Sequence, residues 1–163
     1  MPNITRRGAV AALALAFLIA GLPHHALAAD NPFPGLVGSW SGPGEATLDS
    51  GQVEKMACKG YYTGQGDGGI GIAIRCANPS SKIDLRATLI YANGDVSGNW
   101  EERTYNAGGT VSGKASADQV NLKIEGGGLD ASMTVAINGA THLVSIATQG
   151  TGLKGVKINL TRG

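Results

Sequence analysis

Two side chains and one pair of thiols are the residues of this chain whose types and spacing could do chemistry. Glu102 and His142 fall at alternating positions otherwise filled by Trp, Val, Leu and Ile, so a period of two turns both toward an apolar interior. A carboxylate in such a place costs several kcal/mol unless it is paired, hydrogen-bonded or protonated. Glu102 is therefore expected either to meet a partner such as His142 or to sit at a solvated mouth. Together inside, the two would orient the polar head of a ligand. A haem or metal held through the imidazole is the weaker reading, because a lone histidine in a strand is more often a packing residue with its hydrogen bonds met.

Cys58 and Cys76 stand at equal distances from Asp67, which lies in the loop Gly64-Gln65-Gly66-Asp67-Gly68-Gly69. A hairpin centred on Asp67 sets the two thiols face to face, at a Cα separation of about 4.5–5.5 Å that suits a disulfide. A staple across a loop of that length stabilises by roughly 3 kcal/mol on the chain-entropy model. Signs of catalysis are lacking. There is no Gly-x-Ser-x-Gly elbow, no His-Glu-x-x-His and no Cys-x-x-Cys, and the Gly64–Gly69 loop has neither the lysine nor the following helix of a phosphate loop. No catalytic residue, metal or cofactor is expected, and the chain does not read as an enzyme.

The elements that must position these residues are strands. From Ile83 to Thr104 two alternating segments fold about Asn93-Gly94, the strongest short-range signal for a two-residue hairpin. Pairing Ala92 with Asp95 puts Arg86 opposite Glu101 and Asp84 opposite Arg103 on one face. Ile83, Leu85, Ala87, Leu89, Tyr91, Val96 and Trp100 gather on the other. The same counting gives a strand from Leu36 to Leu48, strands at Glu54–Thr63 and Gly69–Cys76, and later strands around Val120–Ile124, Leu129–Ile137 and Val156–Leu160. It also pairs Glu101 with Lys114 and Trp100 with Ala115, sets Lys123 opposite Asp130, and, about Asn138-Gly139, faces Val135 with His142 and Met133 with Val144. About ten short strands joined by tight loops make an all-β, antiparallel up-and-down meander. Closure into a barrel removes the exposed edges; a flattened β-sandwich is the alternative.

Residues 1–28 read as an export signal: Arg6-Arg7 precede an apolar run from Gly8 to Leu22, and Ala26-Leu27-Ala28 offers a small-x-small cleavage site. Residues 29–35 then form a short linker and 36–163 a single barrel domain, periplasmic or secreted, with no transmembrane segment once the signal is cleaved. Taking Arg6 and Arg7 from the 13 Lys and Arg leaves 11 against 12 Asp and Glu, scattered along the chain, so no nucleic-acid partner is indicated. Charges on the outer face likewise exclude an outer-membrane barrel.

The segment Gly38-Ser39-Trp40-Ser41-Gly42-Pro43-Gly44-Glu45 resembles the first strand of calycin-type barrels, the group of lipocalins, fatty-acid-binding proteins and nitrobindin-like barrels. In those families the Trp of a Gly-x-Trp opening closes one barrel end, and lipocalins stack a basic residue on it, a part that Arg162 would take here. The resemblance implies a ten-stranded barrel binding a small apolar or amphipathic molecule in its lumen. Trp40, Tyr62, Tyr91, Trp100, Glu102 and His142 are the lumen candidates. Small inward residues, among them Gly42, Gly44, Gly60, Ala87, Gly98, Gly113, Ala115 and Ala131, either leave room for that ligand or let the sheet pack tightly. With a solid core, the alternative is an envelope protein-interaction module, such as a small β-barrel protease inhibitor acting on a protein partner through its loops.

Overall fold

The computed structural model describes residues 30–149 and 151–163; the export signal expected at 1–28 lies outside them. A single turn of helix, α1 (Phe33–Leu36), leads into ten antiparallel strands. They are β1 (Gly38–Leu48), β2 (Val53–Gln65), β3 (Gly69–Ala77), β4 (Lys82–Ala92), β5 (Asp95–Glu102), β6 (Ala107–Ala115), β7 (Gln119–Gly126), β8 (Leu129–Asn138), β9 (Thr141–Thr148) and β10 (Leu153–Arg162). Each strand pairs with its sequence neighbours, and β10 pairs with β1 to close the barrel, Trp40 facing Arg162 and Gly44 facing Ile158. The meander expected from alternation is thus a barrel and not a sandwich.

Registers agree with the sequence wherever a turn and a side-chain pair demand the same alignment. Ala92 faces Asp95 and Arg86 faces Glu101, with Asn93 and Gly94 at φ 52° and 90°, the left-handed pair that a two-residue hairpin needs. Cys58 faces Cys76 and the two are joined as a disulfide. Outside the barrel Asp84 lies between Arg75 at 3.4 Å and Arg86 at 3.0 Å, and these guanidiniums, Arg86 first, hold its carboxyl below the usual carboxylate range.

Three hairpins differ from the sequence reading, each by an even slide. Trp100 faces Gly109 rather than Ala115, and Lys114 pairs with Asp95 at 2.5 Å instead of with Glu101. The cause is the turn after Glu102, which closes at once because that side chain accepts from the amide of Tyr105 within the turn and from that of Asp84 on β4. Glu125, not Lys123, faces Asp130, since a tight turn at Gly127 and Gly128 uses fewer residues than expected. In the last case Ile137 faces His142 and Val135 faces Val144, with Gly139 and Ala140 at the tip. Even slides keep each side chain on its face, so the expected core survives: Trp40, Cys58, Ile70, Val144 and Leu160 are among its most buried members.

Two further expectations are corrected. Leu36 belongs to α1 and not to β1, and Phe33, within the segment 29–35 read as a linker, is buried in the core beside it. Gly98 and Gly113 do not open a lumen: a Cβ on either would stand 2.0 Å from a backbone oxygen, of Thr88 and Asn121 respectively. Their bare Cα atoms let neighbouring strands close in where the sheet bends.

Candidate functional site

The barrel end at which β1 begins collects four side chains through strand register. Trp40 on β1 faces Gly60 on β2 and Arg162 on β10, while Leu160 faces His142 on β9. Tyr62, two residues beyond Gly60, brings its hydroxyl 3.0 Å from His142 Nε2. The Trp40 ring meets the imidazole edge-on at 4.4 Å between centroids, and the Arg162 guanidinium lies over Trp40 at 4.2 Å, the stacking that the Gly-x-Trp resemblance implies. α1 covers this end. Its carbonyls are taken in hand from the barrel: Trp40 Nε1 donates to Leu36 O at 2.8 Å, and Arg162 donates to Val37 O and Gly35 O. Phe33 also sets its ring edge against Tyr91.

His142 is 3 % exposed, and its Nδ1 has no hydrogen-bond partner. Burial, and secondarily the Arg162 charge, push its pKa down to about 4, so the imidazole is neutral near pH 7. Burial also pushes the Tyr62 phenol well above its ordinary range, so it keeps its proton. Counting hydrogen bonds then assigns the tautomer. If Tyr62 O–H donates to Nε2, the imidazole proton sits on Nδ1 and a single group is unmet. The other tautomer strands both the Tyr62 proton and the Nδ1 lone pair.

Beside this cluster lies a cavity of about 110 Å³, walled almost entirely by apolar atoms. Phe33 and Leu36 of α1, Tyr62, Trp100, Met133 and His142 are among its lining residues. Of the six lumen candidates the cavity thus brings together Tyr62, Trp100 and His142. Trp40 stands behind the imidazole and does not line it, and Tyr91 contacts α1 instead.

Glu102 is buried but far from His142 in function and place. Its two carboxylate oxygens accept from the backbone amides of Asp84 at 2.8 Å and Tyr105 at 2.6 Å, clasping the loop that joins β5 to β6 at the other barrel end. The carboxylate's cost of burial is met by those amides, so it is a structural clasp rather than a ligand group. Sequence reasoning missed Phe33 and Leu36. A four-residue helix shows no periodicity, and the available signal was two large apolar residues, Phe33 and Leu36, on either side of Pro34 and just after Pro32. Among the described residues, no three His, Cys, Asp or Glu side chains are grouped to hold a metal ion.

No family model and no curated protein matches this chain in sequence. Solved structures do match in shape. Rv2717c from M. tuberculosis superposes with a TM-score of 0.67 at 14% identity, over 79% of this chain and 93% of that one. The S-type phycobiliprotein lyase CPES from Guillardia theta gives 0.58 at 14% identity, covering 80% of this chain and 90% of the other. EF1p2_mFAP2b bound to DFHBI gives 0.51 at 11% identity, covering 82% and 98%. The fold is a calycin-like barrel. In this calycin-like barrel the Gly38-Ser39-Trp40 opening does what the resemblance implied, since Trp40 closes one end beneath Arg162.

Proposed function

We propose that this protein is an exported calycin-like barrel that binds a small apolar or amphipathic molecule in its lumen and does not transform it. The observation that carries the reading is the apolar cavity, to whose wall Tyr62 and His142 supply the polar side chains. Apolar cavities of about 150 Å³ stay dry and take up benzene, whereas drug-sized ligands occupy about 300–1,000 Å³. A space of about 110 Å³ suits one ring or the end of an alkyl chain, and a haem-sized macrocycle exceeds it. That a barrel of the same fold is bound to DFHBI supports a lumen ligand. The two polar side chains at the cavity, a protonated Tyr62 and a neutral His142, have no nucleophile or carboxylate beside them, which favours binding over catalysis.

Native mass spectrometry of the protein purified from its own host, before and after organic extraction, tests the reading. The expected result is a near-stoichiometric extractable molecule on a chain that begins at Ala29, as cleavage after Ala28 requires. A bare mass counts against the binding barrel and favours an envelope module acting on a protein partner through its loops. A chain still carrying residues 1–28 counts against export by cleavage.

A further inference from the structure

We propose that a recess on the outer wall of the barrel is an anion-binding site, separate from the lumen, that takes a phosphate monoester. Strand register builds it. Lys59 on β2 faces Arg75 on β3, Arg75 faces Asp84 on β4, and the Arg103 amide donates to Asp84 O at 3.0 Å, so these four residues form one row across the wall. In the adjoining outward row Ala57 faces Ala77, and Ala77 faces Lys82. The two alanines stand exposed where their neighbours carry long side chains, which leaves a hollow of about 1020 Å³ with Lys59, Arg75, Lys82 and Arg103 around it.

Charge selects the ligand. Among the described residues, four cations line the hollow against one carboxylate, Asp84, which is shared between Arg75 at 3.4 Å and Arg86 at 3.0 Å. Glu101 reaches Arg103 at 3.9 Å and is not part of the wall. Lys59 and Lys82 make no ion pair among the described residues. Like charges set directly opposite in a sheet are destabilising, and Lys59 against Arg75 is such a pair, so an anion between them relieves a repulsion that the chain itself leaves in place. A concave wall of one sign concentrates its field on what enters, and the planar fork of arginine matches the oxygens of a phosphoryl group. Both guanidiniums are open to it, the Arg75 and Arg103 side chains being 56% and 58% exposed. The alanines beneath offer an apolar floor to the carbon body of the ester.

Glycerol phosphate, too polar for the lumen, tests the site by calorimetry at fixed ionic strength. The double variant Lys59→Gln/Arg75→Gln removes two exposed cations and should weaken binding by about 2- to 30-fold. Lys114→Gln/Lys123→Gln takes the same charge from β6 and β7 and should leave binding unchanged. Equal weakening by both double variants means that only overall charge acts, and overturns the site. Sedimentation with phosphatidylcholine vesicles, with and without phosphatidic acid, separates a lipid headgroup from a soluble ester. Vesicle binding that needs phosphatidic acid and is lost in Lys59→Gln/Arg75→Gln assigns the phosphate to lipid, and binding of glycerol phosphate alone assigns it to a soluble molecule. Binding to neither overturns the proposal. Should the variant not fold, amide NMR shifts of the native protein decide: glycerol phosphate should move those of Lys59, Arg75, Lys82 and Arg103, and if these stay in place the site is overturned.

Discussion

At the barrel end where β1 begins, closure is made by a four-residue helix held through side chains: Trp40 and Arg162 grip the carbonyls of Gly35, Leu36 and Val37, and Tyr62 binds His142. At the other end closure is covalent and backbone-directed. There the Glu102 carboxylate binds two amides, Trp100 Nε1 donates to Glu125 O at 3.2 Å, and the Cys58–Cys76 disulfide ties β2 to β3. Both ends bury polar groups in quantity. They differ in that the disulfide end meets the demands of Glu102 in full, while at the helix end His142 lines a cavity and its buried Nδ1 has no hydrogen-bond partner. A buried polar residue is therefore informative about function through what lies beside it and not through its burial, since Glu102 and His142 look alike by burial alone.

Trp40→Ala is the strongest way to break the contrast, because Trp40 joins α1, His142 and Arg162. Deleting so large a buried ring costs about 4 kcal/mol. Urea unfolding should show that loss, and calorimetry should show affinity for the one-ring probe acetophenone falling with it as α1 loosens. An unchanged affinity would mean that α1 is no part of the site. Replacing both Cys58 and Cys76 with Ser works on the opposite end. That double variant should lose about 3 kcal/mol in the same unfolding experiment and keep its acetophenone affinity at low temperature, since neither cysteine lines the cavity. If affinity fell as steeply there, the two ends would be one mechanical unit and the distinction between them would fail.

What the sequence made legible follows the same division. The Asn93-Gly94 hairpin and the thiol pair were readable because turn chemistry and side-chain pairing selected one register independently. Around Lys114 and Lys123, where no turn pair fixed the alignment, and around His142, where Asn138-Gly139 pointed to a turn that sits one residue later at Gly139 and Ala140, partners slid by an even step and faces stayed correct, which is why the core was legible and the neighbours were not. Alternation also could not separate Glu102 from His142. Whether an inward carboxylate faces a ligand or a folded-back loop depends on where the chain goes after Thr104, and no local pattern records that. α1 was hidden for a different reason: one turn of helix is stabilised by its contacts with Tyr91, Trp40 and Arg162, which are long-range, and not by its own sequence.

The gentlest perturbation is acid, and it sharpens the comparison because it acts on the helix end without any substitution. His142 has a folded pKa of about 4, below the ordinary 6.5, so the unfolded chain binds a proton that the folded chain refuses. Stability from this group is complete above about pH 6.5 and is lost as pH falls toward about 4. Between about pH 7.5 and about pH 5 the loss is about 2 kcal/mol, read from urea midpoints. Asp84, held below its ordinary value by Arg86 and Arg75, titrates lower still. His142→Phe should therefore unfold with nearly the same midpoint at both pH values. A pH slope that survives in the variant would assign the acid sensitivity elsewhere and leave the imidazole without its buried, neutral state.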